Sequence, residues 1–264
     1  MKNIFTKVAL VTALMSTAYA GAILDLEVGG GMWSTSAPTG MVKTGGQEVD
    51  LGSEAALTST SDNMYAWAVV DHLVPIVPNL RIEQVTLKSS GTKNLSAGLP
   101  PLITFTGDVD TDLDMSNTDF IAYWGVPFAT WLPFLDELDF GLGVKAFSGS
   151  LLMSENISGN DLVNTSFSGA AIPYGYAKLR VEPPLFMGIG LEGELKTISY
   201  DTSSFNEIIL KADWGLTAPL PILDIEAGVE VGYRTMSLVI DSADLKTDIG
   251  FDGIFFGVYG KFAI

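Results

Sequence analysis

Gly253-Ile254-Phe255-Phe256-Gly257-Val258-Tyr259-Gly260-Lys261-Phe262-Ala263-Ile264 carries the chain to its last residue in alternation. Ile254, Phe256, Val258, Phe262 and Ile264 fall on one face with Gly260, and Gly253, Gly257, Tyr259, Lys261 and Ala263 fall on the other. A period of two is that of a strand. Working back, Asn206 to Leu216 behaves in the same way, with Ile208, Leu210, Ala212, Trp214 and Leu216 alternating against Glu207, Ile209, Lys211, Asp213 and Gly215. One face suits hydrocarbon and the other suits water, as in a strand of a membrane barrel.

A weak repeat extends this reading over the chain. Leu24-Asp25-Leu26-Glu27-Val28-Gly29, Leu80-Arg81-Ile82-Glu83, Leu138-Asp139-Phe140-Gly141-Leu142-Gly143, Leu185 to Glu192 and Leu223 to Glu230 all open with leucine and continue in alternation. The glycines and charges share one face. Proline clusters precede four of the five, at Pro75/Pro78, Pro127/Pro133, Pro183/Pro184 and Pro219/Pro221. Proline cannot donate to a sheet ladder, so these clusters mark turns. If they are the four turns at one end, with both termini at that end, the chain makes five hairpins, or about ten strands. The opposite connections are longer and polar, roughly Ser34 to Asp62, Ser89 to Asn117, Ser148 to Ser166, Asp201 to Ser204 and Ser237 to Asp248. Eight or twelve strands stay open, because the first two long loops could each hide a hairpin.

Composition agrees with a chain that has two kinds of surface. Of 264 residues 47% are hydrophobic, yet the formal net charge is −17. An acidic disordered tail lacks that much apolar surface, and an acidic field of this size repels nucleic-acid phosphates. Without cysteine, disulfides, thiolate metal sites and thiol nucleophiles are all excluded. At the N-terminus, Lys2 and Lys7, the apolar run Val8 to Met15 and Ala18-Tyr19-Ala20 have the layout of a cleaved signal peptide. The expected division is therefore residues 1–20 as signal peptide and 21–264 as one barrel, whose charge after loss of Lys2 and Lys7 is −19.

Lipid offers no hydrogen bonds, so a sheet within it must close on itself, and its outer face can then be as apolar as a core. A periplasmic β-sandwich would also alternate, but it does not explain a pattern that runs to Ile264. Trp33, Tyr65, Trp67, Trp124, Trp131, Phe134 and Trp214 lie near the ends of expected strands and are assigned to the aromatic girdles of such a barrel. The expected class is thus all-β, a transmembrane antiparallel up-and-down barrel in the outer membrane of a Gram-negative bacterium.

The final strand resembles the C-terminal signal by which outer-membrane barrels are handed to the barrel assembly machinery, although it ends in Ile264 where those signals usually end in phenylalanine or tryptophan. Gly29-Gly30-Gly31-Met32-Trp33 with Gly40, Val49-Asp50-Leu51, Pro78 to Glu83, Thr118-Asp119 with Tyr123, and Leu142-Gly143-Val144 together resemble the uncharacterised Gly-Gly outer-membrane β-barrel family of proteobacteria. That resemblance implies a barrel and a location, and brings no activity with it.

Three constellations could carry chemistry. His72 is the chain's single histidine, and it precedes Pro75/Pro78, which reads as a turn residue more readily than as a catalytic base. Asp108, Asp110, Asp112 and Asp114 would line one face of an extended chain about 6.5–7 Å apart. Such a row is either a solvated ladder or a loose Ca2+ or Mg2+ site that also bridges lipopolysaccharide phosphates; Leu113 stands where an EF-hand loop needs glycine. The third is the lumen, where Glu27, Arg81, Glu83, Lys145, Arg180, Glu192, Lys211, Glu226 and Arg234 form the expected charge network, with further acids and bases beside them. In a barrel of about ten strands such charges either interlock and fill the bore or line a narrow pore. No cofactor motif is found. The expected role is structural or that of a passive narrow channel without catalysis; an enzyme acting on envelope lipid or peptide, or a surface-binding barrel using its acidic loops, are the alternatives.

Overall fold

The computed structural model describes residues 24–44, 47–57, 61–74, 76–95, 107–127, 134–156, 159–166, 168–183, 188–220, 223–241 and 245–263. The expected signal peptide, Trp131 and Ile264 lie outside them. Sixteen strands occur among the described residues: β1 (Leu24–Thr35), β2 (Thr39–Thr44), β3 (Gln47–Asp50), β4 (Ser61–His72), β5 (Asn79–Val85), β6 (Lys88–Leu95), β7 (Gly107–Asp114), β8 (Asn117–Gly125), β9 (Leu135–Phe147), β10 (Ser150–Glu155), β11 (Asp161–Ser166), β12 (Ala171–Val181), β13 (Ile189–Tyr200), β14 (Ser203–Leu220), β15 (Leu223–Asp241) and β16 (Leu245–Ala263). Ten of them, β1, β4, β5, β8, β9, β12, β13, β14, β15 and β16, pair antiparallel in chain order, and β16 returns to β1. The seam runs from Asp25↔Ala263 to Thr35↔Gly253, so the sheet has no free edge there.

The alternation fixes which way each strand faces. On β16 Ile254, Phe256 and Val258 are exposed on the outer wall, while Phe255 and Tyr259 are buried inside. On β14 Ile208, Leu210, Trp214 and Leu216 point outward, and Glu207, Ile209 and Asp213 are buried in the lumen. Several inward glycines exist so that a neighbouring ring can lie over them. A Cβ on Gly143 would stand 2.4 Å from the Tyr174 ring, and one on Gly228 2.4 Å from that of Tyr259.

Two expectations need correction. Trp124, Phe134 and Trp214 are exposed on the outside as girdle residues should be, but Trp33, Tyr65 and Trp67 are buried in the bore. They share the inward parity of Asn63 and Thr35, and proximity to a strand end said nothing about face. The long connections are also not simply polar loops. The first two do contain hairpins, yet neither adds a strand to the closed ring of ten. Hairpin β2–β3 instead pairs with the upper end of β16, from Leu245↔Thr44 to Gly250↔Thr39. Hairpin β6–β7 joins β10 and β11 of the third connection in a separate four-stranded sheet ordered β11-β10-β7-β6.

That second sheet hoods one end of the barrel. Val109, Leu113, Leu151, Met153 and Val163 on its inner face are buried in one cluster with Val42, Val49, Leu51, Phe251 and other residues of the barrel's taller side. The barrel is taller there because β14, β15 and β16 have 18, 19 and 19 residues against 7 for β5 and 9 for β8. Between hood and wall lies the turn after β3. Asp50 Oδ1 accepts from the Ser53 amide at 2.5 Å and its hydroxyl at 2.7 Å, while Glu54 reaches back to the Asp50 amide at 2.8 Å, a reciprocal cap on one helical turn. The Ala56 carbonyl then lies where a Cβ on Gly91 of β6 would stand, at 2.3 Å.

Candidate functional site

The bore is crossed at mid-height by paired charges. Glu83 on β5 accepts from Arg234 at 2.6 Å, Lys196 at 3.2 Å and Arg81 at 3.3 Å. Glu207 on β14 holds Arg234 at 2.7 Å, Lys196 at 2.9 Å and Lys145 at 3.0 Å. Asp119 on β8 holds Lys145 at 2.6 Å and Lys196 at 3.0 Å, and accepts from the Tyr174 hydroxyl at 2.9 Å. Arg81 completes the set on Glu194 at 2.7 Å. Four carboxylates thus face four cations, all buried, on strands from opposite sides of the bore. Inward side chains of one strand stand two residues apart, so staggered neighbouring strands can deliver alternating signs to one level.

Aromatic rings pack against the network. Arg234 lies over Trp33 at 4.9 Å and Lys145 over Phe205 at 5.5 Å, while Tyr65 meets Phe255 edge-on at 5.6 Å. The void left beside it, lined by Trp33, Trp67, Glu194, Arg234 and neighbours, is only about 20 Å3. That is room for about one water molecule.

Towards the end where β1 begins and β16 ends the bore opens into a polar chamber of about 250 Å3. Lys178 holds Glu137 at 2.5 Å and Asp139 at 3.0 Å; Arg180 holds Asp213 through two nitrogens at 2.5 and 2.8 Å and Asp136 at 3.2 Å. Asp136 is the extra residue of a bulge, since Arg180 pairs with Glu137 and Val181 with Leu135. Lys211 bridges Glu192 at 3.1 Å and Glu230 at 3.2 Å, and Glu226 accepts from the Tyr259 hydroxyl at 2.8 Å.

Of the nine lumen residues named from sequence, Arg81, Glu83, Lys145 and Arg234 therefore meet in the central network, and Glu27, Arg180, Glu192, Lys211 and Glu226 line the chamber. Asp119 and Glu207 were missed as network members. Their signal was available: Asp119 shares parity with Ile121 and Tyr123, and Glu207 with Lys211 and Asp213.

The aspartate row lies elsewhere, on the outer face of the hood. Asp108 accepts from Asn94 at 2.8 Å, and Asp110 from Thr92 at 2.6 Å and Asn156 at 2.7 Å. Asp114 meets Lys88 at 3.0 Å. Burial opposes its ionisation, but the Ser116 hydroxyl and amide and Lys88 hold its carboxyl below the ordinary range. Donors from β6 and the β10 side thus flank the row. Among the described residues, the three carboxylates whose oxygens converge within 4.8 Å are Glu83, Asp119 and Glu207, which the buried cations already neutralise. His72 lies at a turn, where its Nδ1 accepts from the Val74 amide at 3.1 Å, and the neighbouring Asp71 faces inward to accept from Tyr123.

No family model and no curated protein matches the chain, so the Gly-Gly barrel likeness remains one of motifs. Among solved structures it is similar to the crystal structure of Ail, the attachment invasion locus protein of Yersinia pestis, in complex with the heparin analogue sucrose octasulfate. The identity is 11%, the match covers 89% of this chain and 98% of that one, and the TM-score is 0.25, a likeness too slight to bear on function.

Proposed function

We propose that this protein is an integral outer-membrane β-barrel of a Gram-negative cell, with a structural role and a lumen that does not conduct. The observation that carries the reading is the pairing of an apolar outer wall with a charged, interlocked bore. Leu142, Leu216, Val258, Ile254 and Phe256 are each 60% exposed or more on a closed sheet, and water alone would not favour that surface. An outer-wall hollow of about 780 Å3, lined by Val70, Leu80, Ile82, Phe120 and Leu142, suits lipid chains. In this setting the termini and proline turns face the periplasm, the hood faces outward, and the last strand serves the assembly machinery. Lipopolysaccharide then surrounds the outer half of the wall.

The test has two parts. The purified protein should need detergent and migrate differently on a denaturing gel before and after boiling; free solubility would overturn the membrane reading. In planar bilayers it should stay silent across salts and voltages, and steady single-channel steps would establish the narrow channel instead. The hood supports a second reading, a surface-binding role, because it presents a polar four-stranded face with the row Asp108, Asp110, Asp112 and Asp114 beyond the barrel. Divalent-dependent binding of lipopolysaccharide that is lost on changing Asp110 and Asp112 to asparagine would favour it. No catalytic role is proposed.

A further inference from the structure

The chamber at the terminus end holds more carboxylates than its own cations use. Arg81, Lys178, Arg180, Lys211 and Lys261 each already lie against at least one carboxylate. Four acids in the wall, Glu27, Asp71, Glu182 and Glu226, have no lysine or arginine at ion-pair distance among the described residues. Asp71 and Glu226 take hydrogen bonds from the neutral phenols of Tyr123 and Tyr259. Glu27, mostly buried on the inward face of β1 and opposite Lys261 of β16, makes no hydrogen bond and no ion pair at contact distance among them, with Lys178, Lys211 and Lys261 as its nearby positive charges. An unpaired carboxylate removed from bulk water is costly, and a cation brought to it recovers that cost.

The geometry separates two kinds of cation. A bound Ca2+ or Mg2+ needs several oxygens converging at about 2.0–2.6 Å. No three carboxylates of the chamber converge within 4.8 Å among the described residues; the one trio that does lies in the central network. Carboxylates dispersed around a wall suit a ligand that carries several cationic nitrogens on one flexible chain. Trp67 and Tyr259 also line the chamber, the Trp67 ring already carrying Arg81 at 5.4 Å and Lys211 at 5.5 Å. The volume, about 250 Å3, is near the lower end of small-ligand pockets. Beyond it the bore is closed, so an occupant is held and not passed on.

We propose that the chamber is a binding site for a linear aliphatic polyamine, entering from the end that carries the termini. The experiment is isothermal titration of the full chain in detergent with spermidine, repeated with Mg2+ alone. Expected are one spermidine per chain, affinity falling steeply with added NaCl, and at least a tenfold loss in the Glu27→Gln/Glu226→Gln double variant with its heat-sensitive gel band retained. A variant carrying asparagine for Asp108, Asp110, Asp112 and Asp114 should bind as the parent does. If the double variant fails to fold, the exposed Glu182→Gln serves, with about a threefold loss expected. Absence of spermidine heat at millimolar concentration, unchanged binding in the chamber variants, loss in the aspartate-row variant, or equal binding of Mg2+ at the chamber would each overturn the proposal. Because the titration reads binding in detergent, it can fail while the conductance and solubility tests succeed.

Discussion

Glu207 shows how much a single lumen side chain holds. Three cations meet it, and truncation would leave Lys145, Lys196 and Arg234 with less counter-charge in a buried bore. Breaking a buried pair from one side costs about 3–5 kcal/mol. Glu207→Ala is therefore expected to lower stability by about that amount in urea unfolding followed in detergent, with Glu207→Gln losing less because it keeps two acceptor or donor atoms in place. At the hood, the Ser53 amide and then its hydroxyl hold the Asp50 carboxyl below its ordinary 3.8. A depressed native value favours the folded turn above the unfolded pKa, and that contribution is lost as pH falls through the native one. Acidification from pH 5 to below 3 should release the Asp50–Glu54 turn, read as a falling protection factor at the Ser53 amide relative to its intrinsic exchange rate, and Ser53→Ala should move the onset upward. Individual residues of this kind were only half legible in the sequence. Parity told which charges face inward, but which acid meets which base depends on strand stagger, which no local pattern records; thus Glu83 and Arg234 were both named as lumen charges without their pairing.

The strands themselves were the most readable feature, because residues facing in and out alternate with a period of two over most of β14, β15 and β16. The proline clusters likewise marked the turns between β4 and β5, β8 and β9, and β12 and β13, whereas Pro219 of the fourth stands inside β14, paired with Asp224. Of the hood, only the possibility of a hairpin in the second long connection was legible. Its strands β6, β7, β10 and β11 are mostly 6–8 residues, and their outer faces are rich in Ser, Thr, Asn and Asp, so averaged over a window they look like loop. Their inner faces, with Val109, Leu113, Leu151 and Met153, carry the decisive signal in few residues. Leu151 is fully buried, and Leu151→Ala should cost about 2–5 kcal/mol locally. The expected outcome is protease nicking within β6–β7 and β10–β11 while the heat-sensitive barrel band persists, since the wall's ladder does not pass through the hood.

For the whole molecule, the closed ladder and the interlocked bore favour one rigid cylinder over a gated one. The hydrogen bonds of the wall close it on itself through β1 and β16, and the cations of the bore are fixed by acids from strands on both sides of it. The high net charge of −17 is then unevenly placed: the mid-bore charges cancel, part of the excess lies in the chamber and on the hood, and further acids such as Glu48, Glu54, Asp248 and Asp252 lie on hairpin β2–β3, the turn after it and β16. The seam between β1 and β16 has one more effect, and it concerns time. Its eleven residue pairs join the first strand of the sheet to the last, and β16 continues beyond them onto β2. The cylinder therefore cannot close until the final strand has been made and delivered. A product that lacks β16 keeps two bare strand edges, so the topology discriminates against incomplete chains without a separate inspector.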